Sequence, residues 1–227
     1  DYLINGTKRF ITGAEGAAYT IVMARMEDGS ASMFLADMDT PGIRLSRRME
    51  SLDSCFAGGH AEMQLENLRV PATDVLGEIG KGFRYAQVRL APARLTHCMR
   101  WLGLARRAMD IAADYVAARQ THGGALAEKE SVQWLMGDAA MQIEIGRLLV
   151  MRAADKLDRG DFARKEVSMA KVVVADVLHN AIDTAIQLNG ARGYSKDTPL
   201  EWMYRYARQA RLVDGASEVH KMVLARA

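Results

Sequence analysis

The spacing of apolar residues changes once along the chain, close to Gly82. Before that point, short apolar-rich runs are separated by turn-forming residues, a pattern typical of β-strands. Strands are predicted at Tyr19–Arg25, Ser32–Ala36 and His60–Leu65, with an exit from this part at Asn67–Pro71.

Glycine-containing pairs mark the turns of this first part. Asn5-Gly6 and Asp28-Gly29 predict hairpin turns between short β-type runs, and Pro41-Gly42 and Gly58-Gly59 add further breaks. We therefore expect a small antiparallel β-sandwich or barrel over residues 1–80.

Beyond this change the apolar positions recur at helical spacing. A first long helix is predicted directly after it, and Pro92 is expected to kink or interrupt that helix. Gly160 and Gly190 are expected to end the next two long helices, and Asp161 is a candidate N-cap between them. These and two short helices are predicted at about Glu130–Leu157, Phe162–Leu188, Leu200–Ala207 and from Ser217.

Three long amphipathic helices with short links predict an up-down α-helical bundle over residues 81–227. The predicted fold class is therefore α+β, with two domains. The 227 residues are 49% hydrophobic, which is enough apolar material for one good core or two small ones.

Charge and cysteine content exclude several classes of protein. The net charge is +2, spread along the whole length, so a nucleic-acid partner is not expected. No apolar run is long enough to predict a membrane span. Cys55 and Cys98 are too few for a disulfide scaffold, and a reduced, intracellular setting is expected. The chain opens on Asp1, which suggests a cut rather than a natural start.

No common catalytic or metal motif is present. The five histidines are scattered and form no HExxH or paired ExxH pattern, so no metal site is predicted. A GxSxG elbow, a P-loop and a GxGxxG after a strand are also absent.

Two polar, glycine-bearing segments between helices stand out instead. We call residues 187–194 the Gly190 turn and residues 213–218 the Asp214 turn. Capping alone explains such residues, because glycine ends helices and Asp or Ser precedes them. From the residues themselves, a pair of helix caps is the favoured interpretation.

A family resemblance goes further. Five segments occur in the order found in the acyl-CoA dehydrogenase family: Ile4–Gly13, Asn67–Pro71, Arg119–Gly123, Gln187–Tyr194 and Asp214–Ser217. The resemblance implies that the chain is a C-terminal fragment, lacking the family's N-terminal helical domain. Further likeness at Ser168–Lys171, Gly193–Ser195 and Glu218–His220 points to the subgroup that in animals is fused to a phosphotransferase-like domain. That subgroup tends to take long, branched or hydroxylated acyl chains.

The resemblance implies an FAD site. Thr12 matches the hydroxyl that bonds the flavin near N5, and Phe10 and Ile11 match its backbone neighbours. Arg119 and Thr121 match the residues that bind the FAD diphosphate, although Arg119 also fits a helix C-terminal arginine.

The two turns complete the implied FAD site. Gln187, Gly190 and Ala191 resemble the segment that reaches the FAD of a neighbouring subunit. Ala216 and Glu218 stand where the family has Thr and Gln, and Lys129-Glu130 replaces its His-Gln pair, so the sequence departs from the family there.

The resemblance also implies a catalytic base. Asp214 occupies the position of a glutamate that takes the α-proton while a hydride leaves the β-carbon, giving a trans-2-enoyl-CoA. Asp shortens the reach by about 1.5 Å. The alternative site beside Arg94 holds Ala93 and cannot serve. Arg94 and Gly215 are expected to bind substrate, and a helix-capping role remains open for Asp214.

The implied activity is that of an FAD-dependent acyl-CoA dehydrogenase of fatty acid metabolism. Expected partners are an acyl-CoA, an electron-transferring flavoprotein as acceptor, and further copies of the chain in a homodimer or homotetramer. The expected compartment is the cytoplasm in a bacterium, or the mitochondrion or peroxisome in a eukaryote. An acyl-CoA oxidase, a flavin monooxygenase and a degenerate assembly subunit are the alternatives.

Overall fold

A computed structural model describes residues 1–53 and 58–227. Cys55 lies outside these residues. The chain forms two compact units, Asp1–Arg89 and Leu90–Ala227. The α+β fold class predicted from the sequence is confirmed, because antiparallel sheets precede a helical bundle.

The first unit contains two three-stranded antiparallel sheets. Its strands are β1 (Tyr2–Thr12), β2 (Tyr19–Arg25), β3 (Ala31–Asp37), β4 (Ile43–Met49), β5 (His60–Val70) and β6 (Val75–Leu76). The strand orders are β1-β5-β4 and β2-β3-β6. The predicted strand at residues 19–25 is confirmed to the residue, and the two others are longer than predicted.

Alternating side chains of these strands build the core of the first unit. In β3 every second residue, including Phe34 and Ala36, is buried, as expected for a strand with one covered face. The buried cluster comprises Ile4, Val22, Phe34, Ala36, Met63, Leu65, Leu68 and Val70.

One of the two predicted hairpin turns is wrong. Asp28-Gly29 does connect β2 to β3, and the Asp28 carboxylate accepts a hydrogen bond from the Ser30 amide at 2.9 Å. Asn5-Gly6, in contrast, lies inside β1, at a register shift opposite β5. The Asn5 side-chain oxygen accepts a hydrogen bond from the Asn67 amide at 2.7 Å, so this pair forms a β-bulge.

The helical elements begin at the end of the first unit. They are α1 (Gly82–Ala118), α2 (Glu130–Asp158), α3 (Arg164–Asn189), α4 (Ala191–Tyr194), α5 (Leu200–Ala207) and α6 (Ser217–Ala225), with a small hairpin of β7 (Gln120–Thr121) and β8 (Gly124–Ala125). The predicted boundaries of the helices agree with these to within two residues.

One predicted helix break and one predicted helix terminus are wrong. Helix α1 runs through Pro92 without interruption, whereas a kink at this residue stays a prediction. Pro92 is exposed, so water can hydrate the carbonyl that lacks an amide partner there. The N-cap of α3 is Ala163, with φ of 42° and no side-chain bond, rather than Asp161. The left-handed backbone at Gly160 and Ala163 reverses the chain, so the helix starts later than the sequence suggests.

Helix α3 is the buried centre of the second unit. It packs against α2, α4, α5 and α6, and fourteen of its residues are buried. Gly146 of α2 permits close packing, because a Cβ there would lie 2.9 Å from Leu102 and 3.3 Å from Val174. Within residues 1–53 and 58–227, no helix is long and apolar enough to cross a membrane.

Candidate active site

The Asp214 turn has an unusual backbone. Asp214 and Gly215 have φ angles of 53° and 101°, two consecutive residues outside the region that L-amino acids prefer. For a residue with a Cβ, such as Asp214, this conformation costs about 1–2 kcal/mol. The turn therefore has to be held by its surroundings.

Side chains from three helices hold the two carbonyl groups of this turn. The Asp214 carbonyl accepts hydrogen bonds from Nε of Arg94 on α1 at 2.9 Å and from Nε2 of His220 on α6 at 3.3 Å. The Gly215 carbonyl accepts one from Nζ of Lys171 on α3 at 2.6 Å. Bonds from charged donors are about twice as strong as neutral ones, so the turn is firmly anchored.

Lys171 is the most unusual of these anchors. Its side chain is fully buried, and its ammonium group lies 6.0 Å from the centre of the Trp101 ring. Burial lowers the pKa of Lys171 from 10.5 to about 8. Burial also raises the pKa of the neighbouring Cys98 thiol to about 12, so this cysteine is a neutral packing residue rather than a nucleophile.

His220 is held in its neutral form. A carbonyl only accepts, so Nε2, which faces the Asp214 carbonyl, carries the ring proton. Nδ1 then accepts from the Ser168 hydroxyl at 3.0 Å. Burial is the largest cause of a lowered pKa for His220, which agrees with a neutral ring. A Cβ on Gly215 would lie 3.0 Å from Nε2, so the ring also requires glycine at that position.

The Asp214 side chain faces a second histidine. Oδ2 of Asp214 lies 3.0 Å from Nε2 of His97, and the two side chains are 21% and 27% exposed. The N-cap residue of α6 is Ala216, so Asp214 does not occupy that position. The interpretation of Asp214 as the N-cap residue of that helix is therefore wrong.

Arg94 and Gly215, the predicted substrate-binding residues, both lie at this turn. Nη2 of Arg94 is 3.7 Å from the position that a Gly215 Cβ would occupy. Arg94 is half-buried, and its Nε bonds the Asp214 carbonyl. Burial is the main cause of a lowered pKa for its guanidinium.

The predicted diphosphate-binding residues lie on the β7–β8 hairpin that follows α1. Thr121 pairs with Gly124, and His122 and Gly123 form the tight turn with positive φ angles. Arg119 is exposed and makes no ion pair with any residue that the structure describes. Its guanidinium is therefore available to an anion. Lys129, at a position that departs from the family, donates a hydrogen bond to the His122 carbonyl at 3.3 Å.

The Gly190 turn is built differently from the Asp214 turn. Gly190, with φ of 58°, is the C-cap of α3, and its amide donates to the Gln187 carbonyl at 3.2 Å. Gln187, Gly190 and Ala191 are all exposed. The helix-cap interpretation is correct for Gly190. Of the two remaining predicted residues, Ala216 caps α6 and Glu218 is exposed in its first turn.

In the first unit, the predicted flavin-facing residues end strand β1. Phe10 is 62% exposed and has φ of 58°, at a second register shift between β1 and β5. Thr12 Oγ1 lies 2.9 Å from Nδ1 of His60, whose Nε2 lies 3.2 Å from the Asp53 carboxylate. This bulge directs Phe10 outward while Thr12 remains tied to β5. Ile11 is half-buried and pairs with Ala61.

The structure adds to the candidate site three side chains to which the sequence analysis assigned no role. His97 and Lys171 contact the Asp214 turn, and His60 contacts Thr12. Two of these left a signal in the sequence. Lys171 is a charge within the apolar run of α3, and His97 follows Arg94 by three residues, which places both on one helix face. Among the described residues, no group of His, Cys, Asp and Glu could hold a metal ion.

Comparisons with known proteins cover both units. Residues 80–227 match the family model described as "Acyl-CoA dehydrogenase, C-terminal domain", and residues 1–68 match "Acyl-CoA dehydrogenase, middle domain".

Three relatives illustrate the similarity. "Probable acyl-CoA dehydrogenase FadE2" of Mycobacterium tuberculosis is 41% identical over 100% of this chain and 58% of its own length. "Acyl-CoA dehydrogenase family member 11" of Gallus gallus is 40% identical over 99% of this chain and 30% of its own. The structure of butyryl-CoA dehydrogenase from Megasphaera elsdenii is 31% identical with a TM-score of 0.92, covering 99% of this chain and 60% of that one. The chain thus spans less than two thirds of each relative.

Proposed function

The chain belongs to the acyl-CoA dehydrogenase family, and from that premise we propose that it carries the catalytic base of an FAD-dependent acyl-CoA dehydrogenase. The proposed reaction converts an acyl-CoA thioester into a trans-2-enoyl-CoA. The α-C–H bond breaks and its proton goes to the Asp214 carboxylate, while a hydride leaves the β-carbon. When bound, FAD supplies the hydride acceptor.

The arrangement of the Asp214 turn is the observation that carries this proposal. A base must be held in one place relative to the substrate proton, and small misplacements are costly. Asp214 is on a strained backbone that Arg94 and Lys171 anchor, and its carboxylate lies 3.0 Å from Nε2 of His97. A structural role for this aspartate would not need that support.

Several residues have the chemistry that FAD binding needs. The exposed guanidinium of Arg119, beside Thr121, suits a diphosphate. The exposed backbone at Gly190 and Ala191 permits close approach of a ligand from a neighbouring subunit. We propose that Phe10, Ile11 and Thr12 meet the flavin ring, and that Gln187, Ala216 and Glu218 complete the cofactor contacts.

Further copies of the chain and other proteins are proposed as partners. Trp134, Met141, Ile145 and Leu148 recur at helical spacing on α2 and are 64%, 58%, 45% and 61% exposed. An apolar face of this kind supports a homodimer or homotetramer. An electron-transferring flavoprotein is the proposed acceptor of the electrons.

We propose a long, branched or hydroxylated acyl chain as substrate, with Arg94 and Gly215 against it. The likeness to family member 11 supports this subgroup.

The proposed domains are a β domain over residues 1–80 and a bundle over 81–227, in a longer subunit with an N-terminal helical domain. The lengths of the relatives support that organisation. The proposed compartment is the cytoplasm in a bacterium, and the mitochondrion or peroxisome in a eukaryote.

An anaerobic titration tests the function. The full-length protein is purified, its flavin absorption is recorded, and a panel of acyl-CoAs of different length, branching and hydroxylation is added. We expect the flavin bands to bleach with one class of thioester and an enoyl-CoA to form. Stoichiometric oxygen consumption on re-aeration would indicate an oxidase instead. A protein that stays colourless after reconstitution with FAD would contradict the proposal and favour a non-catalytic subunit.

A further inference from the structure

A buried carboxylate, a buried imidazole and an exposed hydroxyl form a chain of hydrogen bonds in the first unit. The Asp53 and His60 side chains are 9% and 12% exposed, and Nε2 of His60 is hydrogen-bonded to Oδ1 of Asp53 at 3.2 Å. Nδ1 of the same ring forms a second hydrogen bond, of 2.9 Å, with Oγ1 of Thr12. Thr12 is exposed, so the chain leads from a buried charge to the surface of the unit.

Strand pairing brings the hydroxyl to the imidazole. His60 begins β5, the central strand of its sheet, and is directly opposite Thr12 of β1. The register shift that includes Phe10 sets this pairing, because without the shift Ile11 would be opposite His60. The bulge that exposes Phe10 therefore also places the Thr12 hydroxyl against the ring.

These bonds determine where the protons of the chain lie. A carboxylate only accepts hydrogen bonds, so Nε2 of His60 carries a ring proton and donates it to Asp53. In the neutral ring Nδ1 then has a lone pair, which accepts the hydroxyl proton of Thr12. A hydroxyl has one proton and two lone pairs, so Oγ1 can still accept a hydrogen bond from a ligand. Thr12 therefore acts as an acceptor toward a group that reaches it from outside the unit.

An acceptor at Thr12 would distinguish the two states of a flavin. N5 of the oxidised ring accepts hydrogen bonds, whereas N5 of the reduced ring carries the hydrogen that arrives as hydride, and donates. With the oxidised ring, the single Thr12 proton can satisfy either N5 or His60 but not both. With the reduced ring both bonds form, because N5–H donates to Oγ1 and the hydroxyl donates to Nδ1. The chain of hydrogen bonds thus favours reduced flavin.

We propose that His60, oriented by Asp53, is a positioning residue that makes Thr12 a hydrogen-bond acceptor for the N5–H group of reduced flavin. This inference rests on the proposed function and on the proposed contact of Thr12 with the flavin ring. It assigns to His60 and Asp53 no contact of their own with cofactor or substrate. The family resemblance assigns a role to Thr12 and none to these two partners.

A reductive titration of the full-length holoenzyme, without acyl-CoA, tests this role. Flavin and a reference dye of known potential are reduced together, and the ratio of reduced to oxidised flavin is read at a fixed potential. We expect His60→Leu to lower this ratio about 3- to 10-fold, because the oxidised ring then receives the Thr12 proton without competition. His60→Asn, whose side-chain oxygen can accept in place of Nδ1, should recover part of the loss.

Two controls separate this role from a general effect of removing an imidazole. In a Thr12→Val background, His60→Leu should change the ratio by less than about twofold, because no hydroxyl remains for the ring to direct. His179→Leu removes an imidazole of α3 that packs on Tyr204 with ring centroids 5.0 Å apart, and it should keep the wild-type ratio. A wild-type ratio in His60→Leu, or an equal loss in the Thr12→Val background, would overturn the proposal.

A second measurement needs neither turnover nor bound flavin. In ¹⁵N-histidine spectra of the full-length protein, the His60 signal, identified by its loss in His60→Asn, should show a proton on Nε2 and none on Nδ1. Thr12→Val should shift the Nδ1 signal of His60 and leave the His179 signals unchanged. A proton on Nδ1, or a His60 signal that does not respond to Thr12→Val, would overturn the positioning role.

The two measurements also separate this inference from the proposed function. If wild type binds no FAD even after reconstitution, the proposed function fails. The histidine spectra then decide by themselves whether His60 takes the Thr12 proton and leaves Oγ1 as an acceptor.

Discussion

The Gly190 turn and the Asp214 turn look alike in sequence and differ in what holds them. At the Gly190 turn the backbone bonds are local, from Gly190 to Gln187 and from Tyr194 to Gly190. At the Asp214 turn the bonds come from side chains 120 and 44 residues away, Arg94 and Lys171. One turn ends a helix, whereas the other is held by the bundle.

This difference separates a cap from a candidate site. A cap satisfies the carbonyl groups of its own helix and needs no other part of the molecule. The Asp214 turn draws a fully buried lysine into the bundle to hold one carbonyl, although burying an ammonium group is unfavourable. Such a cost is common where a side chain must be kept in position for chemistry.

The largest expected effect is on chemistry at the Asp214 turn. In the full-length enzyme, Asp214→Asn should reduce the rate of anaerobic flavin bleaching by about 10²- to 10⁴-fold, because the amide cannot take the α-proton. Flavin absorption before substrate is added should be unchanged. The matched control is Asp197→Asn, an exposed aspartate just after the Gly190 turn, which should bleach at the wild-type rate. An Asp214→Asn enzyme that binds FAD and turns over normally would refute the assignment of the base.

A second expected effect distinguishes the two glycines. Gly215→Ala should lower the free energy of unfolding by about 2–4 kcal/mol, from positive-φ strain and from a Cβ 3.0 Å from His220. Gly190→Ala should cost about 1–2 kcal/mol, because its Cβ meets nothing within 4 Å and only strain remains.

Urea denaturation measures both glycine variants. The control is Gly103→Ala, an exposed helical glycine of α1 with nothing within 4 Å of its Cβ, which should be stabilising by about 0.5–1 kcal/mol. Equal costs at Gly215 and Gly190 would show that the side chains around the Asp214 turn do not constrain it.

A third prediction concerns the pH dependence of stability. The folded pKa of Lys171, about 8, is below its ordinary 10.5, so between these values the unfolded chain binds more protons. Stability from this group therefore rises with pH through that window. We expect the free energy of unfolding of wild type, minus that of Lys171→Met, to become more positive from pH 8 to pH 9.

Urea denaturation at pH 7, 8 and 9 measures this difference. Restricting the range to pH 9 limits the opposite contribution of Cys98, whose raised folded pKa lowers stability at higher pH. Lys196→Met, an exposed lysine beside the Gly190 turn, should show no such trend. A flat difference for Lys171→Met would mean that Lys171 is solvated rather than buried.

The smallest expected effects compare two serines. Ser168→Ala should cost about 1 kcal/mol of unfolding free energy, because Nδ1 of buried His220 loses its donor. Ser195→Ala, directly after the Gly190 turn, should cost less than about 0.5 kcal/mol, because its bond to the Arg192 carbonyl is exposed and water replaces it. A larger loss of unfolding free energy in Ser195→Ala than in Ser168→Ala would contradict the view that local bonds hold the Gly190 turn and that distant side chains hold the Asp214 turn.

Regular elements were predictable where periodicity acts over neighbouring residues. Strand β2 and helix α5 have the predicted ends, because alternation and amphipathic spacing are local properties. The predictions were wrong where a short sequence pattern is compatible with two local structures. Asn5-Gly6 fits a hairpin turn or a bulge, and the pairing of β1 with β5 selects the bulge. Asp161 fits an N-cap, but the left-handed Ala163 moves the helix start.

The sequence by itself determined the order of strands and helices, the glycine cap of α3 and the family to which the chain belongs, because propensities, caps and motifs lie within short segments. The tertiary structure alone decided that Asp214 is not the N-cap residue of α6, that Lys171 holds the Gly215 carbonyl, and that His97 faces the carboxylate. Those relations join residues far apart in the chain. Only the packing of helices α1, α3 and α6 brings their side chains within hydrogen-bonding or ion-pair distance.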